Sequence, residues 1–277
     1  MGRAIQDIYA GDADFVLTDM IEFPGASILD ISDEAAVDQA VADAKPDVII
    51  NCAAYTNVDG CEKNEDTAYQ ANAIGPRNLA VAAKKYDAVV VHISTDYVFN
   101  GKATKPILET DTPDPVSAYG RTKLAGEQFI TSSCERYFIL RTAWLYGDGK
   151  NFVKTMLNLS ETRDEVSVVC DQFGSPTSAV ELARVIKHLL TTDAYGIYNA
   201  TCEGDTDWAD FTEEIFALAG RTTKVNHITS EEYAKMNPAA ANRPAYSVLE
   251  NKALHDMNPP YYMKDWKEAL KEYFGGR

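Results

Sequence analysis

A tyrosine and a lysine four residues apart are the residues of this chain that most directly suggest catalysis. Tyr119 and Lys123 stand in the segment YGRTK, and on a helix this spacing places both side chains on one face. An ammonium beside a phenol lowers the phenol pKa from about 10 towards neutrality, which prepares the phenol to exchange a proton with a carbonyl or an alcohol. Thr95 lies 24 residues earlier, and its hydroxyl is expected to help Tyr119 polarise a substrate oxygen.

The same spacing occurs again at Tyr146 and Lys150. Gly147 and Gly149 stand between these two residues, and glycine favours a turn over a helix. The second pair is therefore not expected to meet, whereas the segment LAGE after Lys123 continues a helix.

Apolar runs separated by helical segments predict the elements that position these residues. A strand covered on both faces is apolar along its whole length. The pattern predicts an α/β fold, a doubly wound parallel sheet of the Rossmann kind. The strands are expected at 15–18, 28–30, 46–51, 88–93, 137–142, 166–170 and 196–200, and the helices from Ser32 onwards and at 66–86, 119–132, 151–160 and 178–191.

Beyond residue 200 the sequence changes character, since four prolines punctuate short helical segments and aromatic residues gather at the end. This change predicts a smaller C-terminal substrate lobe. The dinucleotide-binding domain is assigned to 1–143 and 171–200, and the substrate lobe to 144–170 and 201–277.

Small or acidic residues follow several predicted strands, where ligands of open α/β sheets bind. Asp19 and Asp30 follow the first two strands. Such carboxylates accept hydrogen bonds from ribose hydroxyls and repel a 2′-phosphate. Met20 rather than arginine stands beside Asp19, so NADH is slightly favoured over NADPH. Ala53 and Ala54 follow the third strand and would let a cofactor approach the backbone closely.

The composition argues against several classes of protein. The chain has 277 residues, with 26 Lys and Arg against 42 Asp and Glu and a formal net charge of −16. A phosphate backbone is held by clustered basic residues, so nucleic-acid binding is not expected. No apolar run is long enough to cross a bilayer, and the spacing of the five cysteines and four histidines predicts no metal site. With no export leader and with free thiols, a cytoplasmic protein is expected.

Six sequence blocks, taken in order, resemble the dTDP-4-dehydrorhamnose reductases, which belong to the extended short-chain dehydrogenase/reductases. The resemblance covers essentially the whole chain and is more specific than any single motif. The blocks are NCAAYTNVD (51–59), STDYVFNG (94–101), YGRTKLAGE (119–127), RTAWLYG (141–147), DQFGSPT (171–177) and RPAYSVL (243–249).

The resemblance implies NAD(P)H-dependent reduction of the 4-keto group of dTDP-4-dehydro-L-rhamnose to dTDP-L-rhamnose. Tyr119 would donate the proton, Lys123 would hold the nicotinamide ribose and tune Tyr119, and Thr95 would hydrogen-bond the reacting oxygen. The positions that match cofactor contacts are Gly2, Asp19, Asp30, Ala53, Ala54, Tyr55, Thr56, Tyr119 and Lys123. The positions that match contacts to the sugar nucleotide are Thr95, Asp96, Trp144, Gln172 and Arg243, the last two for its diphosphate or base. A homodimer and a divalent cation are both compatible with the resemblance, which settles neither.

The front end departs from the family pattern. Family members begin with a buried strand and a Gly-x-x-Gly-x-x-Gly loop that holds the cofactor pyrophosphate, whereas here the match begins only at Gly2. Either the start is an internal methionine of a longer protein or the first strand is truly lost. The sequence as given is expected to fold with a gap beside residues 15–18 and to bind NADH poorly.

Two other functions remain open. A sugar-nucleotide dehydratase or epimerase would keep the fold, but a dehydratase typically needs a carboxylate pair after the threonine, and here Thr95 is followed by Asp96 and then Tyr97. A non-catalytic regulatory subunit, like the β subunit of methionine adenosyltransferase, would bind a dinucleotide and a partner enzyme without turnover.

Overall fold

The computed structural model describes residues 1–238 and 241–275. Its strands are β1 Thr18–Asp19, β2 Ser27–Ile28, β3 Val48–Asn51, β4 Val89–Thr95, β5 Tyr137–Thr142, β6 Leu145–Tyr146, β7 Glu165–Val169, β8 Phe173–Gly174, β9 Thr177–Ser178, β10 Gly196–Asn199, β11 Thr206–Asp207 and β12 Lys224–Ile228. Its α-helices are α1 Gly2–Ile8, α2 Glu34–Ala44, α3 Val58–Lys63, α4 Glu65–Tyr69, α5 Gly75–Tyr86, α6 Ala118–Ser133, α7 Phe152–Ser160, α8 Ala179–Leu189, α9 Trp208–Leu218, α10 Ser230–Met236, α11 Lys252–His255 and α12 Trp266–Gly275.

The central sheet contains four parallel strands in the order β10-β5-β4-β3. Alternate residues of its strands pack on opposite faces, as the pleat requires. Val90 and Ile139 join a cluster with Ile130 of α6, whereas Val91 and Leu140 belong to the main core. Both faces are therefore covered, and the prediction of a parallel α/β sheet is confirmed.

Strands β1 and β2 form a separate two-stranded parallel sheet. Within the described residues, β3 pairs only with β4, so no strand joins this small sheet to the central one. Val16 and Ile28 are each 69% exposed, which is unusual for apolar residues beside a sheet. The gap expected beside residues 15–18 is therefore present, and the strand predicted there is reduced to Thr18–Asp19.

Local capping and loop chemistry shift some of the predicted boundaries. Ser32 does not open the second helix, because Asp33 is the N-cap and accepts a hydrogen bond from the Ala36 N–H. The helix predicted over 66–86 is interrupted by a π-helical turn at Gln70–Ile74. The strand predicted at 166–170 is observed as β7, but it pairs in parallel with β12 outside the central sheet.

The β7–β12 pair joins two segments that the sequence assigns to the substrate lobe, although the lobe boundaries themselves stay a prediction. In the same region β8 pairs antiparallel with β11. No helix within 1–238 or 241–275 is long and apolar enough to cross a membrane.

Candidate active site

A cleft of about 390 Å³ lies beyond the carboxyl ends of β3, β4 and β5. It brings together side chains from four distant parts of the sequence, as expected where parallel strands end at one edge. The predicted site residues that line it are Ala54, Thr56, Thr95, Asp96, Tyr119, Lys123 and Trp144.

Helix α6 carries Tyr119 and Lys123 and is held tightly at its start. The Ser117 hydroxyl caps it by accepting a hydrogen bond from the Gly120 N–H at 3.1 Å. A Cβ added at Gly120 would collide with the carbonyl oxygen of Tyr97, so glycine allows the helix to press against the loop after β4. The ring of Tyr97 then meets that of Tyr119 edge-on, with 5.5 Å between centroids.

Burial controls the ionisation of Tyr119. Desolvation raises the pKa of its phenol well above 10, and the hydroxyl of Thr95 only partly offsets this effect. Lys123 does not contribute to the shift. The prediction that the lysine lowers the pKa of Tyr119 is therefore wrong for this structure, because burial lowers the pKa of Lys123 to about 8 and its amine has lost its charge before the phenol ionises.

Lys123 is 1% exposed, and its amine is bound within the protein. Its Nζ donates to the carbonyl oxygen of Ile93 at 2.6 Å and lies 3.1 Å from Nε2 of His92. Burial lowers the pKa of Lys123 to about 8, against the opposing charge of Glu127. Sequence reasoning missed His92, although a histidine within an apolar strand was a visible signal.

Thr95 and Asp96 stand at the end of β4, facing the cleft. The Thr95 hydroxyl donates to Asp96 Oδ1 at 3.0 Å and accepts from the Tyr97 N–H at 3.2 Å. Burial raises the pKa of Asp96 to about 6, despite the hydrogen bond from the Thr95 hydroxyl. The site therefore has one enclosed carboxyl group that ionises close to neutral pH.

Trp144 forms an aromatic wall of the cleft together with Trp208, a residue that sequence reasoning missed. The two indoles are stacked, with centroids 3.5 Å apart and planes 9° apart. Trp144 has a positive φ of 48°, and a Cβ on Gly174 would lie 2.6 Å from its ring. Trp208 begins α9 after the N-cap Asp207, so only the packing of that helix shows its place in the site.

Two predicted substrate residues lie outside this cleft. The Gln172 amide donates to the Ser230 hydroxyl at 2.9 Å. The Arg243 guanidinium is paired with Asp59 at 3.3 Å. Both side chains are therefore committed to protein partners in this structure.

The residues predicted to contact the cofactor divide into two groups. Ala54 and Thr56 line the cleft beside Tyr119. Ala53 and Tyr55 belong to the same loop, and their N–H groups are bound by Asn51 and Asn72 respectively. Asp19 ends β1 and Asp30 lies two residues after β2, both are exposed, and each carboxylate accepts a local backbone N–H, while Gly2 begins α1.

These positions fit the nicotinamide end of a dinucleotide better than its adenosine end. At the nicotinamide end, the small side chain of Ala54 leaves the strand-end loop open beside Lys123 and Tyr119. At the adenosine end, Asp19 is exposed at the end of β1 and Asp30 is exposed just after β2, and the β1–β2 sheet does not pair with the central one.

Comparison with known proteins places this site in a family. The family described as the RmlD substrate binding domain matches residues 3–275. The chain is 41% identical over 251 residues to the spore coat polysaccharide biosynthesis protein SpsK of Bacillus subtilis, covering 90% of this chain and 86% of that protein. It is 40% identical over 259 residues to the dTDP-4-dehydrorhamnose reductase of Sinorhizobium fredii, covering 89% and 86%.

Solved structures agree with these sequence relatives. A dTDP-4-dehydrorhamnose reductase from Clostridium acetobutylicum is 48% identical with a TM-score of 0.92, covering 99% of this chain and 94% of that one. The Bacillus anthracis dTDP-4-dehydrorhamnose reductase in complex with NADP is 43% identical with a TM-score of 0.85, covering 90% and 87%. The resemblance seen in the six sequence blocks is thus confirmed, and this chain belongs to the RmlD family of dTDP-4-dehydrorhamnose reductases.

Proposed function

We propose that this protein reduces the 4-keto group of dTDP-4-dehydro-L-rhamnose with NADH or NADPH, giving dTDP-L-rhamnose. The observation that carries the proposal is the single cleft in which Thr95, Tyr119 and Lys123 meet beside Asp96 and Trp144. The activity of the 40% identical reductase from Sinorhizobium fredii supports it.

Thr95 and Tyr119 are proposed to act on the keto oxygen. Both side chains line the same cleft, and the Thr95 hydroxyl lies close enough to the phenol to offset part of the rise in its pKa, so one carbonyl oxygen is proposed to contact both. A bound reduced nicotinamide supplies hydride to the sugar C4. Tyr119 gives its phenolic proton to the oxygen as negative charge develops there, and Lys123 then stabilises the phenolate that remains.

The remaining contacts hold the two ligands. We assign the nicotinamide ribose to Lys123 and the strand-end loop of Ala54 and Thr56, and the sugar to Asp96 against the Trp144 wall. Arg243 is proposed to bind the substrate diphosphate, for which its guanidinium must leave the carboxylate of Asp59. That exchange is inexpensive, because the Asp59 pair is partly exposed and such pairs contribute about 0–1 kcal/mol.

The preference between NADH and NADPH is a separate proposal. Asp19 is exposed at the end of β1 and would repel a 2′-phosphate, which favours NADH. The relative from Bacillus anthracis, however, was solved in complex with NADP. The ratio of kcat/KM for the two cofactors decides the preference, and a lower KM for NADPH would remove the role given to Asp19.

A cytoplasmic location is also proposed. The charge of −16 and the five free thiols support it. The resemblance is compatible with a homodimer and with a divalent-cation requirement, and the proposal depends on neither.

Replacing Tyr119 tests the proposed chemistry. With the 4-keto sugar nucleotide and NADPH, Tyr119→Phe is expected to lose roughly 10²–10⁴-fold in kcat because the proton donor is gone, while both ligands still bind. Tyr262→Phe is the matched control, since that tyrosine is 66% exposed and remote from the cleft residues. Dinucleotide binding by the wild type without NADPH consumption would instead favour the regulatory subunit.

A further inference from the structure

A buried chain of three polar side chains leads from the strand-end loop to Lys123. Asn51 Nδ2 lies 3.0 Å from His92 Nδ1, and His92 Nε2 lies 3.1 Å from Lys123 Nζ. Asn51 is 4% exposed, His92 0% and Lys123 1%. Buried polar groups of this kind are costly unless each donor meets an acceptor, so their hydrogen positions are tightly constrained.

The sheet fixes the first link of the chain. Asn51 ends β3 and is the direct partner of His92 on β4, so their side chains project from neighbouring positions on one face. Lys123 reaches the same face from α6 and is also bound to the carbonyl oxygen of Ile93. The three residues are thus held by the central sheet and the helix that carries Tyr119.

The orientation of the Asn51 amide decides where the imidazole hydrogen lies. Asn51 Oδ1 accepts the Ala53 N–H at 3.0 Å, so Nδ2 must be the atom that faces His92. Nδ2 is a donor, and His92 Nδ1 must therefore accept. A neutral imidazole has one N–H hydrogen, which then lies on Nε2 and points at Lys123. Burial lowers the pKa of His92 well below its usual range, so the ring is neutral.

This arrangement requires Lys123 to accept a hydrogen bond. Only the neutral amine has a lone pair, so the observed geometry belongs to uncharged Lys123. When the amine takes up a proton from water, it must donate to Nε2 instead. The ring hydrogen then moves to Nδ1, and the Asn51 amide must turn over to present its oxygen, releasing the Ala53 N–H.

Other titratable and charged groups near Lys123 do not take the place of His92 as its hydrogen-bond partner. Glu127, one turn later on α6, is already paired with Arg141 of β5 at 2.7 Å. Cys52 follows β3, and burial raises the pKa of its thiol to about 11 although Lys123 opposes the rise, so it offers Lys123 no negative charge near neutral pH. Tyr119 and Asp96 face the same cleft, but neither hydrogen-bonds the amine within the described residues. Lys123 titrates at a pKa of about 8 in these surroundings.

We propose that Asn51 and His92 are positioning residues that couple the protonation of Lys123 to the backbone of the strand-end loop. When Lys123 is uncharged, the Ala53 N–H is hydrogen-bonded to Asn51 Oδ1, and when Lys123 is charged, this hydrogen bond is broken. The inference deepens the proposed function, and rests on it only where cofactor binding is concerned. Ribose hydroxyls and a phenolate are better held by an ammonium, so cofactor binding is coupled to proton uptake above about pH 8.

Nitrogen NMR of ¹⁵N-histidine-labelled protein without nucleotide tests the coupling directly. The His92 ring is expected as the Nε2–H tautomer well above the Lys123 pKa of about 8 and as the Nδ1–H tautomer below it. Asn51→Asp should show Nδ1–H throughout, because a carboxylate can only accept. Asn57→Asp, the same change at the cap of α3, should titrate like the wild type.

Loss of the signal in His92→Gln assigns the resonance. An Nδ1–H tautomer at high pH in the wild type, or an unchanged titration in Asn51→Asp, would overturn the proposal. The wild-type titration decides the matter even if Asn51→Asp does not fold.

Calorimetry of NADPH binding in buffers of different ionisation enthalpy measures the functional consequence. Raising the Lys123 pKa from about 8 to its ordinary value predicts uptake of roughly 0.1 proton at about pH 7 and roughly 0.9 at about pH 9. Asn51→Asp should take up almost none, and equal uptake in both proteins would contradict the coupling. Absence of any binding heat would be the result expected from the missing pyrophosphate loop and would leave the imidazole titration to decide this inference.

Discussion

Replacing Glu127 by glutamine is expected to destabilise the protein strongly, although the residue touches neither proposed ligand. Arg141 Nη2 donates to Glu127 Oε2 at 2.7 Å, and Nε lies 3.1 and 3.2 Å from the two carboxylate oxygens. The Ser94 hydroxyl donates to Oε1 at 2.5 Å. The side chains of the pair are only 3% and 2% exposed.

The size of the effect follows from this burial. Glutamine keeps the shape but removes the negative charge, so the Arg141 guanidinium stays desolvated without a counter-ion. Breaking a buried pair in this way costs about 3–5 kcal/mol, a large share of a typical 5–15 kcal/mol stability. Replacing both partners, in Glu127→Gln with Arg141→Met, removes the uncompensated charge and should recover much of the loss.

Urea unfolding of the single and double variants measures these free energies. Glu65→Gln is the matched control, because Glu65 also forms a two-pronged contact with an arginine, Arg121, but the two side chains are 46% and 45% exposed. Exposed pairs contribute about 0.2–1 kcal/mol. A Glu127→Gln loss no larger than that of Glu65→Gln would refute the argument from burial.

Two further substitutions test the cleft. Burial raises the Asp96 pKa from its usual 3.8 to about 6, so the folded state loses about 3 kcal/mol of stability as pH rises from about 3 to 7, with the steepest loss between about 4 and 6. Asp96→Asn, which cannot ionise, should therefore be more stable than the wild type at about pH 7 and no more stable at about pH 4, as urea unfolding at both values would show. In Gly174→Ala the new methyl group would lie 2.6 Å from the Trp144 ring. The free energy of unfolding is expected to fall by about 1–3 kcal/mol, and the KM for the sugar nucleotide is expected to rise. An unchanged KM would show that substrate binding does not need the stacked position of Trp144.

The sequence was sufficient for features that depend on local pattern. Unbroken apolar runs predict strands buried on both faces, and β4, β5 and β10 are found where those runs lie. The residues after Lys123 predict the helix over 119–132 that carries the catalytic candidates, and α6 spans Ala118–Ser133. Residues at the ends of adjacent parallel strands meet because the topology allows little else, which explains why Thr95 and Ala54 line one cleft.

Features that depend on register and on long-range packing could not be predicted in this way. Nothing local pairs Asn51 with His92, since their contact depends on a particular alignment of β3 with β4. Trp208 reaches the cleft only because the start of α9 packs against the loop that carries Trp144, which stacks the two indoles. Spacing placed Tyr119 and Lys123 on one face of α6, but the acceptor that attracts the amine, the Ile93 carbonyl oxygen, comes from a neighbouring strand.

The ionisation of Tyr119 and Lys123 in this structure suits reduction better than the reverse reaction. Burial raises the pKa of the phenol and lowers that of the amine, so both shifts favour uncharged forms. Reduction requires a phenol that keeps its proton until hydride transfer creates a strongly basic alkoxide, and a raised pKa meets this requirement. Oxidation of an alcohol would require phenolate at the start, which the same burial disfavours. An ammonium on Lys123 serves both stages of this reaction, because it holds the ribose hydroxyls when the cofactor binds and stabilises the phenolate once the proton has left Tyr119.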